Sequence, residues 1–538
     1  MTARGYNDLR QHIEVLRERN LIYQIDDPVN KDTEMHPLVR WQFRGGIAES
    51  DRKAFLFTSP IDSQGRTFDN AVLIAGLAGT PDIYAAGVGC EVDEIGDRWA
   101  KAFADPIAPV MVDEAPCHEV VITGDDLATE NGGFASIPMP ISTPGFDNAP
   151  YLNSAHAITK DPETGIRNVG HYRGQAKSPT TCGVFFTATF KHAYQHWLKA
   201  RAKGKDLECA FVIGTPPVVS YAAVQQVPLG IDEYELAGGL AREPIELVKC
   251  KTVDLEVPAD SEIVLEGYIT REYLEPEGPF GESHGYVQTR TMSNVFHLTA
   301  VTHRHDYVWT SFISQVTPSE SSVIKKVGFE PMLERYLRDD LGVSGVTRVR
   351  MHEPLTNLRK LIFVQFAYGT KETEIWRALK AVGAHSREVG KIVIAIDEDI
   401  DPDNLDAVWW AIAYRQRPHL DIQVLRGQAK GHGPPFFEGS ADWEDSNLFI
   451  NATLTFPLPP VSLPKREFME KAKGVWEELA SKYGLPTLSP EPPWHGYVIT
   501  PEEWPDELEE EARLAVEGRY LETAAKLAER RKGPKEDS

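Results

Sequence analysis

Leu274-Glu-Pro-Glu-Gly-Pro-Phe-Gly-Glu-Ser-His-Gly-Tyr286 sets three carboxylates, Glu275, Glu277 and Glu282, close together in one short stretch. Gly278, Gly281 and Gly285, with Pro276 and Pro279, argue against a helix or a regular strand. The stretch reads as a fixed loop that presents acids, with Phe280 and Tyr286 as apolar walls. Carboxylates held at a partly dry site are the usual material for general acid/base work. Taken alone, the pair Glu277 and Glu282 reads preferentially as a solvated acidic turn, so its meaning depends on the rest of the chain.

Outward from this loop, the flanking residues are rich in strands. Ser154 to Thr159, Cys209 to Gly214, Ile263 to Ile269, Val295 to Thr302 and Tyr307 to Ile313 are short β-prone runs. Many strands with few helices predict an antiparallel barrel or sandwich. Toward the N-terminus, Asn7 and Asp8 precede a helical pattern of Leu9, Ile13 and Leu16, and Thr80-Pro81-Asp82 is a helix start. Between them lie strand-like runs at Leu21 to Tyr23, Ala54 to Thr58 and Ala71 to Ala75, which predicts a small α/β unit. Toward the C-terminus, Thr317-Pro318 reads as another cap-then-proline start, for a helix that Pro331 should break or kink. Strands at 346–351, 361–366 and 392–396 then alternate with helices at 370–382 and 404–413, a second α/β unit. Trp504 to Arg531 reads as one or two charged helices. The expected organisation is α+β and multidomain. It comprises an N-terminal α/β unit (1–118), a central domain (119–317), a linker helix (318–345), a C-terminal α/β domain (346–490) and a helical tail (491–538).

With 538 residues, a single core is not expected. A net charge of −24 argues against nucleic acid or an anionic membrane as the main partner. Five scattered cysteines with no C-x-x-C pair suggest reduced thiols in a cytoplasmic protein. No signal-peptide pattern and no membrane span are expected.

Four more clusters carry chemistry. Asn168-Val-Gly-His-Tyr-Arg173 offers a guanidinium that can grip a carboxylate, or that can sit in a surface ion pair. His192 and His196 share a helix face, as metal ligands or as structural residues. Asp232-Glu233-Tyr234-Glu235 opens a helix, where acids also serve the helix dipole. Asn, His and Glu ligands together suit Mg²⁺ or Mn²⁺. Asp397 to Asp401 reads as a cation site or, preferably, a solvated strand end.

In this order, NVGHYR, KHAYQHW, IDEYELAG, VKCKTVDLEVPADSEIVLEGYI and EGPFGESHGY resemble the UbiD-like decarboxylases, the family of the ubiquinone-pathway and ferulic acid enzymes. The resemblance runs from about residue 120 to 485. It implies a central split β-barrel that binds prenylated flavin mononucleotide, with a divalent metal (Mn²⁺ or Mg²⁺) and a monovalent cation such as K⁺ at the phosphate. It implies Asn168, His192 and Glu233 as metal ligands. Asn168, Arg173, Gln225 and Lys391 are the implied cofactor contacts, although Val224-Gln225 replaces the Ser-Met of some members. Arg173, Glu277 and Glu282 are the implied catalytic set, with Glu282 as the proton donor. The aromatic pair Phe436-Phe437 is placed over the substrate. The implied reaction is reversible, non-oxidative loss of CO₂ from an aromatic or α,β-unsaturated acid, through a covalent substrate–cofactor adduct. A flavin prenyltransferase would supply the cofactor, and a dimer or hexamer is expected. The rival readings are a split-barrel oxidoreductase using plain FMN and a catalytically silent oligomeric binding protein.

Overall fold

The computed structural model describes residues 5–186, 191–225, 227, 231–356, 359–386, 389–428, 445–456, 458–459, 462–488 and 505–530. Phe436 and Phe437 lie outside the described residues, as does Trp504.

The N-terminal helix Leu9–Glu18 starts as its sequence says: Asp8 accepts from the Gln11 N–H, and Gln11 accepts in return from Asp8. Leu9, Ile13 and Leu16 are its buried stripe. The helix Pro81–Val88 is capped by Thr80. The strands Ile22–Ile25, Ala54–Phe57 and Val72–Ile74 form a sheet that ends in Trp309–Ser311. That last strand corrects the grouping of Tyr307 to Ile313 with the central strands. It pairs parallel with Val72–Ile74, because the chain returns to the first unit before leaving for the C-terminal one.

Ten strands form the central sheet. The order is Arg167–His171, His156–Lys160, Leu207–Ile213, Ile263–Ile269, Thr291–His303, Thr181–Val184, Gly174–Ser178 and Tyr151–Leu152. Val120–Thr123 and Glu275–Glu277 pair with the long strand Thr291–His303 as well, and every pairing is antiparallel.

The linker helix Glu320–Arg335 is capped by Ser319 in a reciprocal pair with Ser322; the Thr317-Pro318 reading was two residues early. Pro331 lies inside this helix without ending it. The C-terminal sheet has Leu361–Phe366, Ile392–Asp397 and Asp445–Asn451 in parallel, with Val346–Met351 and Ile422–Gln428 antiparallel at its edges. The helices Glu372–His385 and Leu405–Arg415 belong to this unit, and Asp506–Val516 and Tyr520–Ala528 follow as the charged helical pair.

Asp397 and Asp399 are neither a solvated strand end nor an open cation site. Arg415 is fully buried between them, 2.8 Å from Asp397 and 2.6 Å from Asp399. Among the described residues, no helix is long and apolar enough to cross a membrane. The five cysteines are free thiols, four of them buried.

Candidate active site

Arg173 lies between the strands Arg167–His171 and Gly174–Ser178, with its carbonyl accepting from Phe185 N–H at 3.2 Å. Its guanidinium is sandwiched between two rings, 4.3 Å from Phe185 and 4.8 Å from Phe280. Nε and Nη2 form a two-pronged bond to Glu277 at 2.9 and 2.7 Å. Nη1 reaches Glu282, and Gln288 at 3.2 Å. With 7% of Arg173 and none of Glu277 exposed, the surface ion-pair reading of Arg173 is overturned. Burial pulls the guanidinium pKa down, but Glu282 and Glu277 outweigh it and the net shift is upward. The cation is therefore permanent.

The acid-bearing stretch is more regular than its glycines and prolines suggest. Glu275–Glu277 and Phe280–Gly281 are short strands, paired with Thr291–His303 and Val287–Gln288. Gly278 joins them at φ +100°, where a Cβ would meet the Thr289 carbonyl at 2.9 Å. Glu282 heads the hairpin turn: its N–H donates to Tyr286 and its carbonyl accepts from Gly285. The stretch therefore anchors Glu277 in a ladder and leaves Glu282 on a turn.

Behind the arginine lies a second group. Asn168 is on the strand Arg167–His171, buried, and among the described residues its Nδ2 makes no well-formed hydrogen bond. Glu233 opens the helix Glu233–Ala241, with Asp232 as its cap. The Val169 N–H donates to Glu233 Oε2 at 2.9 Å, which fixes this carboxyl beside Asn168. Burial raises its pKa to about 7. His192 opens the helix His192–Ala202, which packs on the same strand. The Tyr172 hydroxyl faces both the Asn168 side chain and the Ala193 N–H. Burial lowers the His192 pKa, favouring the neutral ring that binds metals. His196 is engaged elsewhere, with Nδ1 2.9 Å from Thr159 Oγ1. Gln225 follows the helix Pro217–Ala223, which packs on that strand too, and among the described residues both polar atoms of its buried amide lack partners.

These residues fit an anion bound through a cation. Among the described residues, two buried amides hold unused hydrogen-bonding atoms and the buried Glu233 carboxyl has no cation acting to favour its charge. Lys325 and Lys191 lie near the buried His171, and together with burial they push its pKa down to about 4. Among the described residues, no group of three or more His, Cys, Asp or Glu is arranged to hold a metal. The Asn168–His192–Glu233 set has two such residues and depends on the Asn168 amide for a third. Lys391, next to the strand Ile392–Asp397 of the C-terminal sheet, has its Nζ 2.9 Å from Asp445.

Sequence reasoning found the arginine and both glutamates but missed Gln288, Phe185, Tyr151 and Asp147. Tyr151 packs on Phe280 at 4.4 Å, and Asp147 accepts from the Gly281 N–H at 2.9 Å. Nothing local marks Gln288, Tyr151 and Asp147, whose partners Arg173, Phe280 and Gly281 are more than a hundred residues away, and Phe185 meets Arg173 only through the fold of two neighbouring strands.

The chain matches known proteins over most of its length. Residues 109–316 match the 3-octaprenyl-4-hydroxybenzoate carboxy-lyase Rift-related domain. Residues 323–434 match the C-terminal domain of the same family. A phenolic acid decarboxylase from Sedimentibacter hydroxybenzoicus is 28% identical over 505 residues, which cover 88% of this chain and 98% of the relative. The UbiD-class enzyme HmfF from Pelotomaculum thermopropionicum, solved with FMN, is 29% identical with a TM-score of 0.75, covering 87% of this chain and 99% of HmfF. An evolved dimeric form of HmfF, solved with prFMN, has a TM-score of 0.72 at 29% identity, covering 85% and 97%.

Proposed function

Because this chain belongs to the UbiD family of carboxy-lyases, we propose that it removes CO₂, reversibly and without net oxidation, from an aromatic or α,β-unsaturated acid. We read the ten-stranded sheet as the split barrel of that family, with prenylated FMN as its cofactor. Asn168, Glu233 and His192 would hold the metal at the cofactor phosphate, with Gln225 beside them. When bound, the modified flavin supplies the electron sink that no side chain can offer.

The observation that carries this reading is one buried guanidinium bridging two carboxylates. Glu277 and the two flanking rings fix the plane of Arg173, so its position is set before any substrate arrives. Nη1 is the edge directed at Glu282. A substrate carboxylate bound at that edge competes with Glu282 for the same cation. Deprived of the guanidinium, and beside a second anion, Glu282 becomes a stronger base. It then takes up the proton that it delivers to the carbon losing CO₂. Arrival of the substrate thereby loads the general acid, while Glu277 keeps Arg173 in place.

Replacing Glu282 with Gln tests the assignment. The variant should retain its flavin absorbance and lose turnover by at least about a hundredfold, the usual size of a general-acid contribution. Deuterium uptake from heavy water into the product should be lost in parallel. Undiminished turnover would remove Glu282 from this role. A plain-FMN spectrum in protein co-produced with a flavin prenyltransferase would favour the oxidoreductase reading instead.

A further inference from the structure

Arg40 lies on the helix Met35–Arg44 of the N-terminal unit, and its Nη2 donates to Gln315 Oε1. Among the described residues, no carboxylate lies within ion-pair distance of it. A mostly buried guanidinium is thus paired only with a neutral amide, although such cations normally find an anion. Burial, opposed by Asp147 and helped by Arg44, brings its pKa down to about 10. It is still charged at neutral pH.

Its position is next to the catalytic hairpin. A Cβ on Gly281, the residue before Glu282, would stand 3.0 Å from Gln315 Cγ. Asp147 holds the Gly281 N–H and lies in the electrostatic range of both Arg40 and Arg173. Gln315 is 5% exposed, and among the described residues its Nε2 donor has no partner. One unused amide donor and one guanidinium without a carboxylate in ion-pair contact therefore stand beside the Gly281–Glu282 turn, with Asp147 in electrostatic range. A planar guanidinium with an N–H beside it matches a carboxylate better than it matches a neutral group.

We propose that Arg40 and Gln315 form a second anion subsite that receives a carboxylate which the substrate keeps, so that the substrate is a diacid. Arg173 takes the carboxylate that leaves, and Arg40 takes the one that stays. This rests on the decarboxylase reading and narrows it to one substrate class.

The test uses the flavin-loaded full chain and matched sets on benzene, furan and cinnamic skeletons. Each set compares the diacid, its monomethyl ester, the monoacid and the hydroxy-acid. Readouts are kcat/KM from CO₂ release and calorimetric binding of the diacid to the non-turning Glu282→Gln enzyme. In the wild type the diacid should exceed its monoester by about tenfold or more, as expected for a charged hydrogen-bonded contact. Arg40→Gln should erase that ratio, and Arg40→Lys should restore part of it. Gln315→Leu, which leaves the guanidinium in place, should reduce the ratio in the same direction and serves if Arg40→Gln does not fold. Equal rates for diacid and monoester, a preference for the hydroxy-acid, or proportional loss on both substrates in Arg40→Gln would overturn the proposal. If no acid is turned over by fully loaded enzyme, the decarboxylase reading fails, and calorimetric diacid binding still decides the subsite.

Discussion

Gly328 has no side chain because Gln225 occupies the space: a Cβ there would come within 2.2 Å of Gln225 Nε2. Gln225 is 6% exposed, and among the described residues neither of its amide atoms has a partner. An amide buried at such cost is best explained by a group that arrives later. Gly328→Ala is the sharpest way to disturb it. Within a helix, alanine is favoured over glycine by roughly 0.8–1 kcal/mol, so the substitution alone should not lower the melting temperature. The displaced amide should nevertheless loosen the cofactor. The expected outcome is a melting temperature equal to or above that of the wild type, with clearly less flavin retained after gel filtration. Full retention would show that Gln225 faces something other than the cofactor. At this scale the sequence was generous where residues act in runs, as at Asn168 to Arg173. It was silent on Gly328, whose meaning depends on a residue about a hundred positions away.

The linker helix Glu320–Arg335 shows what is and is not legible in an element. Its helical character follows from the sequence, but its start and its tolerance of Pro331 do not. Ser319 is the cap because Thr317 and Pro318 lie in a bend ahead of the helix, and the Ser319–Ser322 exchange closes the first turn. Pro331 forgoes a hydrogen bond within a helix that tertiary packing holds on both sides. Phe329 and Leu333 are buried, and the proline ring lies 3.5 Å from where a Cβ on Gly96 would be. At the other end, the fully buried Glu320 accepts from the N–H groups of Ala75, Leu77, Ala78 and Ile313, joining three segments. No sequence window reveals that, since the Ala75 contact spans 245 positions. Burial outweighs these four donors and raises the Glu320 pKa to about 7 from an ordinary 4.5. The folded chain keeps this proton across a range in which the unfolded chain has released it. The unfolded state therefore binds fewer protons, and this residue makes stability fall as pH rises from about 4.5 to about 7. The full effect is on the order of 3 kcal/mol. Glu320→Gln should flatten that slope, so denaturant midpoints of variant and wild type should diverge as pH rises through this window. Parallel curves would mean that the carboxylate is already ionised throughout.

Across the whole molecule, burial divides differently from the sequence-derived segments. Leu9, Trp99 and Tyr84 of the N-terminal unit share a core with Val212 and Ala210 of the central sheet and with Val323 and Ile324 of the linker helix. Phe329, Leu333 and Leu337, farther along, belong instead to the core of the C-terminal sheet. One helix thus serves two cores, and the chain should unfold as two cooperative bodies rather than as five segments. Arg415 offers a probe confined to the second body. It is fully buried with Asp397 and Asp399, its Trp410 contact lies at 5.1 Å, and burial lifts the Asp397 pKa to about 6 even so. Replacing it with Met preserves bulk but leaves two carboxyls without their cation, which should cost about 3–5 kcal/mol. Calorimetry should then show two transitions in the wild type, with only one shifted down in Arg415→Met. The flavin absorbance, held by residues of the first body, should persist through the shifted transition. If both transitions fall together, the linker helix couples the cores into a single unit, and the site at Arg173 depends on the C-terminal sheet for its stability.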